Sequence, residues 1–524
     1  MTEMEVRFIE LDEFRNAMQR ERERGMDFLR EIVGMDWGEE GLGAIYILEN
    51  SNTRENTEIG VRTTEREKPQ IPTVSDIWQV AELYEREVFD FFGIEFTGHH
   101  DLRRLFLRND WVGHPLRKDY DASETLNPIR LESEPAEEFQ REYDIQDDKE
   151  MARIVEKLKI LHYDQFIINI GPQHPATHGV LHFHLALEGE EVRKVDIRCG
   201  YIHRGIEKMC ESRTYPQILP FCDRLDYLSA HQNRHAVCMC IEKALGLELT
   251  DRTQYIRTIM DELQRIDSHL LMYSCMAMDM GAITGFIYGF REREKILDIM
   301  EEVTGGRLIQ NYYVIGGVQA DITANFARKV KEYCNDQKQR IKEYYDLFVN
   351  NVIFRNRSIG VGVLTREDAI SFGATGGTGR ASGWACDVRK RYPYAMYDKV
   401  EFKEILHTEG DCYARLIVRL EEILESIHII EQLIDNIPEG EYKVKTKPII
   451  KLPEGRFSAS VEGTRGEFGV FIESHGDKSP YRLKFRPTGL PLIAAAHKIM
   501  KRCKIADLIT IGASLDYVIP DIDR

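Results

Sequence analysis

No cysteine falls in the first 198 residues. The ten that follow, at 199, 210, 222, 238, 240, 275, 334, 386, 412 and 503, include no CxxC pair. Iron–sulfur and structural zinc sites need clustered thiolates, so the chain has no evident ligand set for either. The cysteines read as reduced, buried thiols of a cytosolic protein. Long apolar runs are missing too. The nearest approach to the ~18 uncharged residues of a membrane span is Ser274–Phe290, and Asp279 sits inside it. Any membrane association must then come through a partner. Residues Met1–Arg7 are acidic and carry no apolar stretch, which predicts a cytoplasmic chain without a secretory signal. Positive charge is in short supply, with 70 Lys+Arg against 88 Asp+Glu and a net charge of −18. That balance argues against non-specific nucleic-acid binding, which needs a basic face.

What is present is length and pattern. The 524 residues allow two to four domains, and a 43% hydrophobic fraction excludes wholesale disorder. Residues 1–120 read as a small α+β domain. Leu11–Val33 has roughly helical apolar spacing, Ile45–Leu48 reads as a strand, and Ile77–Phe91 as a helix capped by Ser75 or Asp76 and ended by Gly93. Residues 121–150 hold eleven Asp/Glu against three Lys/Arg, with Pro128 and Pro135, and read as an acidic linker. Residues 151–524 read as a second region, rich in long helices and bearing small β elements. Its strands are Phe166–Ile170, Val180–Leu187, Val192–Ile197, Gly469–Glu473 and Tyr481–Phe485. Its helices are Phe221–Leu245 (starting after Pro220), Arg252–Met280, Ala324–Asn350, Glu401–Ile437 and Leu490–Met500. In Val180–Leu187 the residues Leu181, Phe183, Leu185 and Leu187 share one face, with His182 and His184 on the other. The fold class is α+β.

Some residues invite chemistry. Gly171–Gly179 (GPQHPATHG) is a rigid, close-approach loop whose His174 or His178 could deliver a proton near neutral pH. The alternative is a turn whose histidines cap backbone groups. A metal site built from His174, His178, His182 and His184 is disfavoured, because no carboxylate neighbours the last two. Tyr227, expected on a helix in Arg224–Tyr227, could donate its hydroxyl to a carbonyl oxygen or be a satisfied core tyrosine. Asp279 lies among methionines, glycine and alanines, and a carboxylate buried there needs a His⁺ or Arg partner. Gly376–Arg380 lacks both phosphate-loop spacing and a following lysine, and reads as a tight structural loop. Glu85–Glu87 reads as a solvated helix face.

The motifs go further. GPQHPATHG, then YIHRGIEK at Tyr201–Lys208, DRLDY at Asp223–Tyr227, FRERE at Phe290–Glu294 and SLDY at Ser514–Tyr517 closely resemble the D-type, 49 kDa component of respiratory complex I. YEREVFDFFGI at Tyr84–Ile94, DLRR at Asp101–Arg104 and HPLRKDY at His114–Tyr120 resemble its C-type, 30 kDa component. The resemblance implies the two fused in one chain. The resemblance implies a second domain similar to the large subunit of nickel–iron hydrogenases. Those enzymes hold their metals with two CxxC pairs. The matching positions here are Asp226, Ser229, Val518 and Asp521, without a single thiol, so nickel chemistry is not expected.

By the same resemblance the chain is a peripheral-arm core subunit of a proton-translocating NADH-quinone oxidoreductase, on the cytoplasmic side of a bacterial plasma membrane. Tyr227 and His178 would bracket a quinone carbonyl, with Asp279 paired to His178 and His174 in the cavity wall. Arg204, in the His203–Arg204 pair, would stand beside an iron–sulfur cluster held by a B-type partner. I-type ferredoxin-like and H/A-type membrane subunits would be further partners. The quinone could be menaquinone or ubiquinone, and ferredoxin could replace NADH as donor. One departure stands out. Many family members carry a histidine after Gly-x-Arg-Leu/Met, where Ile309 and Gln310 follow Gly305–Leu308 here. Its loss implies a lower, less pH-dependent cluster potential.

Overall fold

A computed structural model describes residues 5–109, 111–121, 165–174, 177 and 179–524. The expected acidic linker, Asp121 apart, lies outside the described residues, as does His178.

The first sheet has the order β1–β4–β3–β2, with β1 Arg7–Ile9, β2 Phe28–Asp36, β3 Leu42–Glu49 and β4 Asn56–Thr63. β1 pairs parallel with β4 and the other pairs are antiparallel. Helix α1 covers Leu11–Glu23 only. The expected helical run to Val33 is broken because Phe28–Val33 is strand, buried on both faces, so its apolar residues need no helical spacing. Leu42, Ala44, Tyr46 and Leu48 face one core, while Ile45 and Ile47 join Val33, Met35 and Phe471 in another. Helix α2 spans Ala81–Phe92, starting later than expected and without a side-chain cap, and Gly93 ends it at φ 74°. Glu85, Arg86 and Glu87 are buried, contrary to the solvated face expected of them. Their charges are matched inside the protein: Glu85 accepts from Thr73 and from the Val74 N–H, and Glu87 pairs with Lys484 and Arg524.

In the second region β5 (Gln165–Ile170), β6 (His182–Glu188) and β7 (Glu191–Arg198) form an antiparallel sheet in the order β7–β6–β5. Helices α3 (Ala230–Ala244), α4 (Asp251–Asp279), α5 (Ile283–Thr304) and α6 (Cys412–Leu433) build the core. Helix α4 has 29 residues and packs against α5 and α6. Its middle is buried all round although half its residues are polar. Arg257 pairs with Glu242, Asp261 with His235, Glu262 with Arg265 and Arg389, Asp267 with Arg293, and His269 with Glu422. Such burial is tolerable only because each charge is partnered. The expected helix 401–437 begins only at Cys412, with Asp411 capping the Ala414 N–H, and 324–350 narrows to Phe326–Tyr344 followed by a π turn. Gly376–Ala381 is a short buried helix rather than a loop. A second antiparallel sheet, β8 (Gly455–Glu462), β9 (Glu467–Ser474) and β10 (Arg482–Arg486), precedes helices α7 (Gly489–Ile499) and α8 (Ile505–Leu515). The architecture is mixed α+β. No helix among the described residues is long and apolar enough to cross a membrane.

The two regions share one core. Phe28 meets Trp384 edge-on, Arg30 pairs with Glu467 at 2.5 Å, Arg391 pairs with Glu49, and the Tyr481 hydroxyl donates to the Asp36 carbonyl at 2.7 Å.

Candidate functional site

Tyr227 is not on a helix. Pro220 lies inside the short helix Tyr215–Cys222, which starts at a Thr214–Gln217 capping box, and the chain then turns through Asp223–Ser229 before α3. The Asp226 carboxylate closes that turn by accepting the Leu228 N–H at 3.0 Å, the side-chain-to-backbone bond that lets aspartate replace helix with turn. The turn leaves the Tyr227 ring 38% exposed. Burial of the remainder raises the phenol pKa, partly opposed by the Arg465 charge. The hydroxyl therefore keeps its proton at neutral pH and can give it.

Arg465, which no motif marks in the sequence, sits in the tight connection from β8 to β9 and is fully buried. Its Nη1 donates to Asp226 Oδ2 at 2.9 Å and to Thr464 Oγ1 at 2.8 Å, and its Nη2 to Asp516 Oδ1 at 3.3 Å. Arg419 approaches the other Asp516 oxygen at 3.6 Å. Burial pushes Arg419 down to about 10. Asp516 takes φ 59° at the end of α8. The signal available in sequence is a lone cation in a Gly-bounded turn, GTRG, between two apolar strands.

Asp279 is the last residue of α4 and is half-buried rather than enclosed, because α4 ends there and Gly281 turns the chain. Cys275, one turn earlier on α4, interacts electrostatically with both Asp279 and Tyr227. Burial pushes the Cys275 thiol up to about 11, so it stays protonated. The charge of Asp279 also reaches Tyr517. Tyr227 and Asp279 are thus linked electrostatically through Cys275. His174 is exposed in the strand Gln173–His174, paired with Gly179–Val180.

From this turn an apolar rim extends outward. Met278, Ile283 and Ile287 are exposed, as are Val352, Ile353, Ile359 and Val363 on the helix and loop that pack against α8. Arg357 donates to the Ala506 carbonyl at 2.7 Å and anchors that helix.

His203 and Arg204 lie on the loop Gly200–Gly205. The half-buried His203 ring packs against Phe91 and Phe106, and its desolvation lowers its pKa. Arg204 is exposed and makes no hydrogen bond or ion pair among the described residues. His182 and His184 are both buried, their rings 3.9 Å apart. No group of three or more His, Cys, Asp or Glu among the described residues is arranged to hold a metal. Of the positions matched to hydrogenase thiols, Asp226 is held by Arg465, and the Ser229 hydroxyl accepts the Thr464 N–H at 3.2 Å. Asp521 accepts from Thr488 at 2.9 Å and Gly489 at 2.7 Å, and is raised to about 6 by burial and by the nearby Asp226. Hard oxygens bound to cations and N–H groups are not a soft-metal donor set.

Comparison with known proteins points one way. Residues 5–126 match the family described as respiratory-chain NADH dehydrogenase, 30 Kd subunit, and residues 279–524 match the corresponding 49 Kd family. The chain is 66% identical over 500 residues to the C/D subunit of NADH-quinone oxidoreductase from Phocaeicola vulgatus, covering 95% of each chain. It is 60% identical over 531 residues to the C/D subunit from Bacteroides thetaiotaomicron, covering 99% of this chain and all of the relative. Identity to one of the C/D subunits of Aquifex aeolicus is 36% over 546 residues, covering 96% of this chain and 92% of the relative.

Proposed function

The chain belongs to the C/D family of NADH-quinone oxidoreductase subunits, a 30 kDa-type and a 49 kDa-type complex I domain in one polypeptide, and from that membership we propose that the turn around Tyr227 is its quinone-reducing site. The domains would be 1–120 and 151–524, the latter hydrogenase-like, joined by the acidic segment 121–150. What supports the reading is that Tyr227 and Asp279 both interact electrostatically with Cys275 on the last turn of α4, beside an exposed apolar rim. A polar pair inside an apolar mouth suits a quinone, whose two carbonyls need hydrogen bonds while its isoprenoid tail needs apolar contact.

Reduction of a quinone consumes two electrons and two protons. The electrons would come from the cluster of the B-type partner, beside Arg204, whose guanidinium favours added negative charge. Tyr227 would hand one proton to a carbonyl oxygen. His178 would hand over the other, kept charged by the neighbouring Asp279 carboxylate. The exposed rim from Met278 to Val363 would be covered by the H/A-type membrane subunits, which explains large apolar side chains facing water in an isolated chain. With no spanning helix of its own among the described residues, the chain would sit peripherally on the cytoplasmic side and feed proton translocation in those subunits.

The test is donor-dependent quinone reduction in membranes. Tyr227→Phe and His178→Ala should each abolish most activity while the complex assembles normally. Wild-type activity in both would show that these residues are structural.

A further inference from the structure

The loop that carries Arg204 is shaped by the N-terminal domain. The His203 ring stacks on Phe91, with centroids 5.2 Å apart and planes 26° apart, and on Phe106 at 5.6 Å and 15°. Phe91 and Phe106 themselves stack at 5.7 Å. All three rings are therefore nearly parallel, and such offset aromatic pairs attract one another beyond their burial. The approach is close enough that a Cβ on Gly200 would stand 2.3 Å from the Phe106 carbonyl oxygen. Cys199, just before the loop, reaches the Leu105 carbonyl at 3.8 Å.

The far side of the loop is held by the residues Asp523 and Arg524. His203 Nδ1 lies 2.6 Å from the Asp523 carbonyl, which can only accept, so that nitrogen carries the proton. The Asp523 carboxylate accepts the Gly200 N–H at 2.7 Å and the Ile202 N–H at 3.0 Å. Arg524 then returns to the N-terminal domain. It pairs with Glu87 of α2 at 2.7 Å and lies over the Phe106 ring at 5.5 Å. Backbone and side chain of the loop are thus fixed from two directions, while Arg204 is exposed and has no hydrogen bond or ion pair among the described residues.

We propose that Phe91 and Phe106 are positioning residues for Arg204: the N-terminal domain holds His203 against the two rings and so sets where the next residue's guanidinium stands against the electron-donating partner. The fused N-terminal domain then takes part in electron entry. This rests on the reading that Arg204 faces the partner's iron–sulfur cluster. The domain acts on that cluster only through the loop. A guanidinium moved by a fraction of its distance to a charged centre changes the interaction in proportion, and His203 is held by the two rings and by its bond to Asp523.

The test uses the intact complex purified from membranes and reads the paramagnetic resonance spectrum and midpoint potential of the partner's terminal cluster. Arg204→Ala should alter both. Phe106→Leu should shift them in the same direction, Phe106→Tyr should restore the wild-type spectrum, and the quinone KM should stay unchanged throughout. A merely structural Phe106 would lower the yield of complex without moving the spectrum of what assembles. If Arg204→Ala alters the cluster and Phe106→Leu leaves it as wild type, the positioning role is overturned while the placement of Arg204 stands. If neither alters it, the placement itself falls, and the inference with it. Should Phe106→Leu give no complex, Glu87→Gln loosens the loop through Arg524 and Asp523 instead. A wild-type cluster there overturns the proposal, and a shifted one supports it.

Discussion

Arg465 Nη1 meets Asp226 Oδ2 at 2.9 Å, one residue before Tyr227. A single buried cation therefore ties the tyrosine turn to Asp516 at the end of α8. Removing it with Arg465→Met strands the buried Asp226 carboxylate and leaves Asp516 to Arg419 alone, and a broken buried pair costs about 3–5 kcal/mol. Restoring neutrality with Arg465→Met plus Asp226→Asn should recover part of that loss. Arg465→Lys keeps the charge without the fork that spans both aspartates. It should assemble and turn over slowly, because the turn presenting Tyr227 loses the two-armed link from Asp226 to Asp516. Denaturant unfolding of the variants and quinone reduction by the assembled complex check both halves. A double variant no more stable than the single one would break the argument.

Asp279 stands at the end of α4, within electrostatic reach of the thiol that also senses Tyr227. If its work is to keep His178 charged, Asp279→Asn lowers the pKa of that histidine. The loss of activity should then be small at pH 6 and grow toward pH 8, as the histidine loses its proton earlier in the variant than in the wild type. A pH-rate profile compares the two. A uniform loss at every pH would assign Asp279 to positioning alone.

Much of this is legible in sequence, for physical reasons that also mark the limits. Helix α4 is readable because twenty-nine residues free of Gly and Pro keep helical spacing, and Gly93 is readable as a stop because only glycine takes φ 74° cheaply. The tyrosine turn escapes a reading from periodicity because Asp226 breaks the helix through a bond to Leu228 that no spacing reveals. Glu85–Glu87 misleads for a related reason. Charges look solvated until their partners are known, and those of Glu87 lie at Lys484 and Arg524, at the other end of the chain. The motifs expose Tyr227 and Arg204, whereas the long-range partners that place them, Arg465 and Phe106, become visible only in the fold.

His184 offers a test of acid stability remote from the candidate site. It faces Asp196 across β6 and β7, and neither ring nitrogen has a hydrogen-bond partner among the described residues. Burial foremost, then the charges of Arg198 and His182, hold it down to about 3. An unfolded histidine titrates near ~6.5. The folded value is depressed, so His184 favours folding fully above about pH 6.5, and that contribution is lost as pH falls toward the folded pKa. His184→Leu should flatten the fall in unfolding midpoint between pH 7 and 4.5. A variant as acid-sensitive as the wild type would place the proton uptake elsewhere.

The segment after Gly305 makes the last case. Gln310 is buried, its amide donating to the Arg307 carbonyl at 3.1 Å, and Ile309 beside it is half-buried. Neither side chain titrates, so reduction of a neighbouring cluster finds no proton there to offset the added charge. The partner's cluster should accordingly have a low potential, suited to a low-potential quinone such as menaquinone, and nearly flat between pH 6 and 8. Full coupling of one proton to one electron would instead give about 59 mV per pH unit. Ile309→His supplies a titratable group at a half-exposed position without displacing the buried glutamine. It should raise the potential and introduce a slope below that limit, read by redox titration of the intact complex at several pH values. A wild-type cluster that already follows the full slope would mean that another group, on this chain or on the partner, takes up the proton.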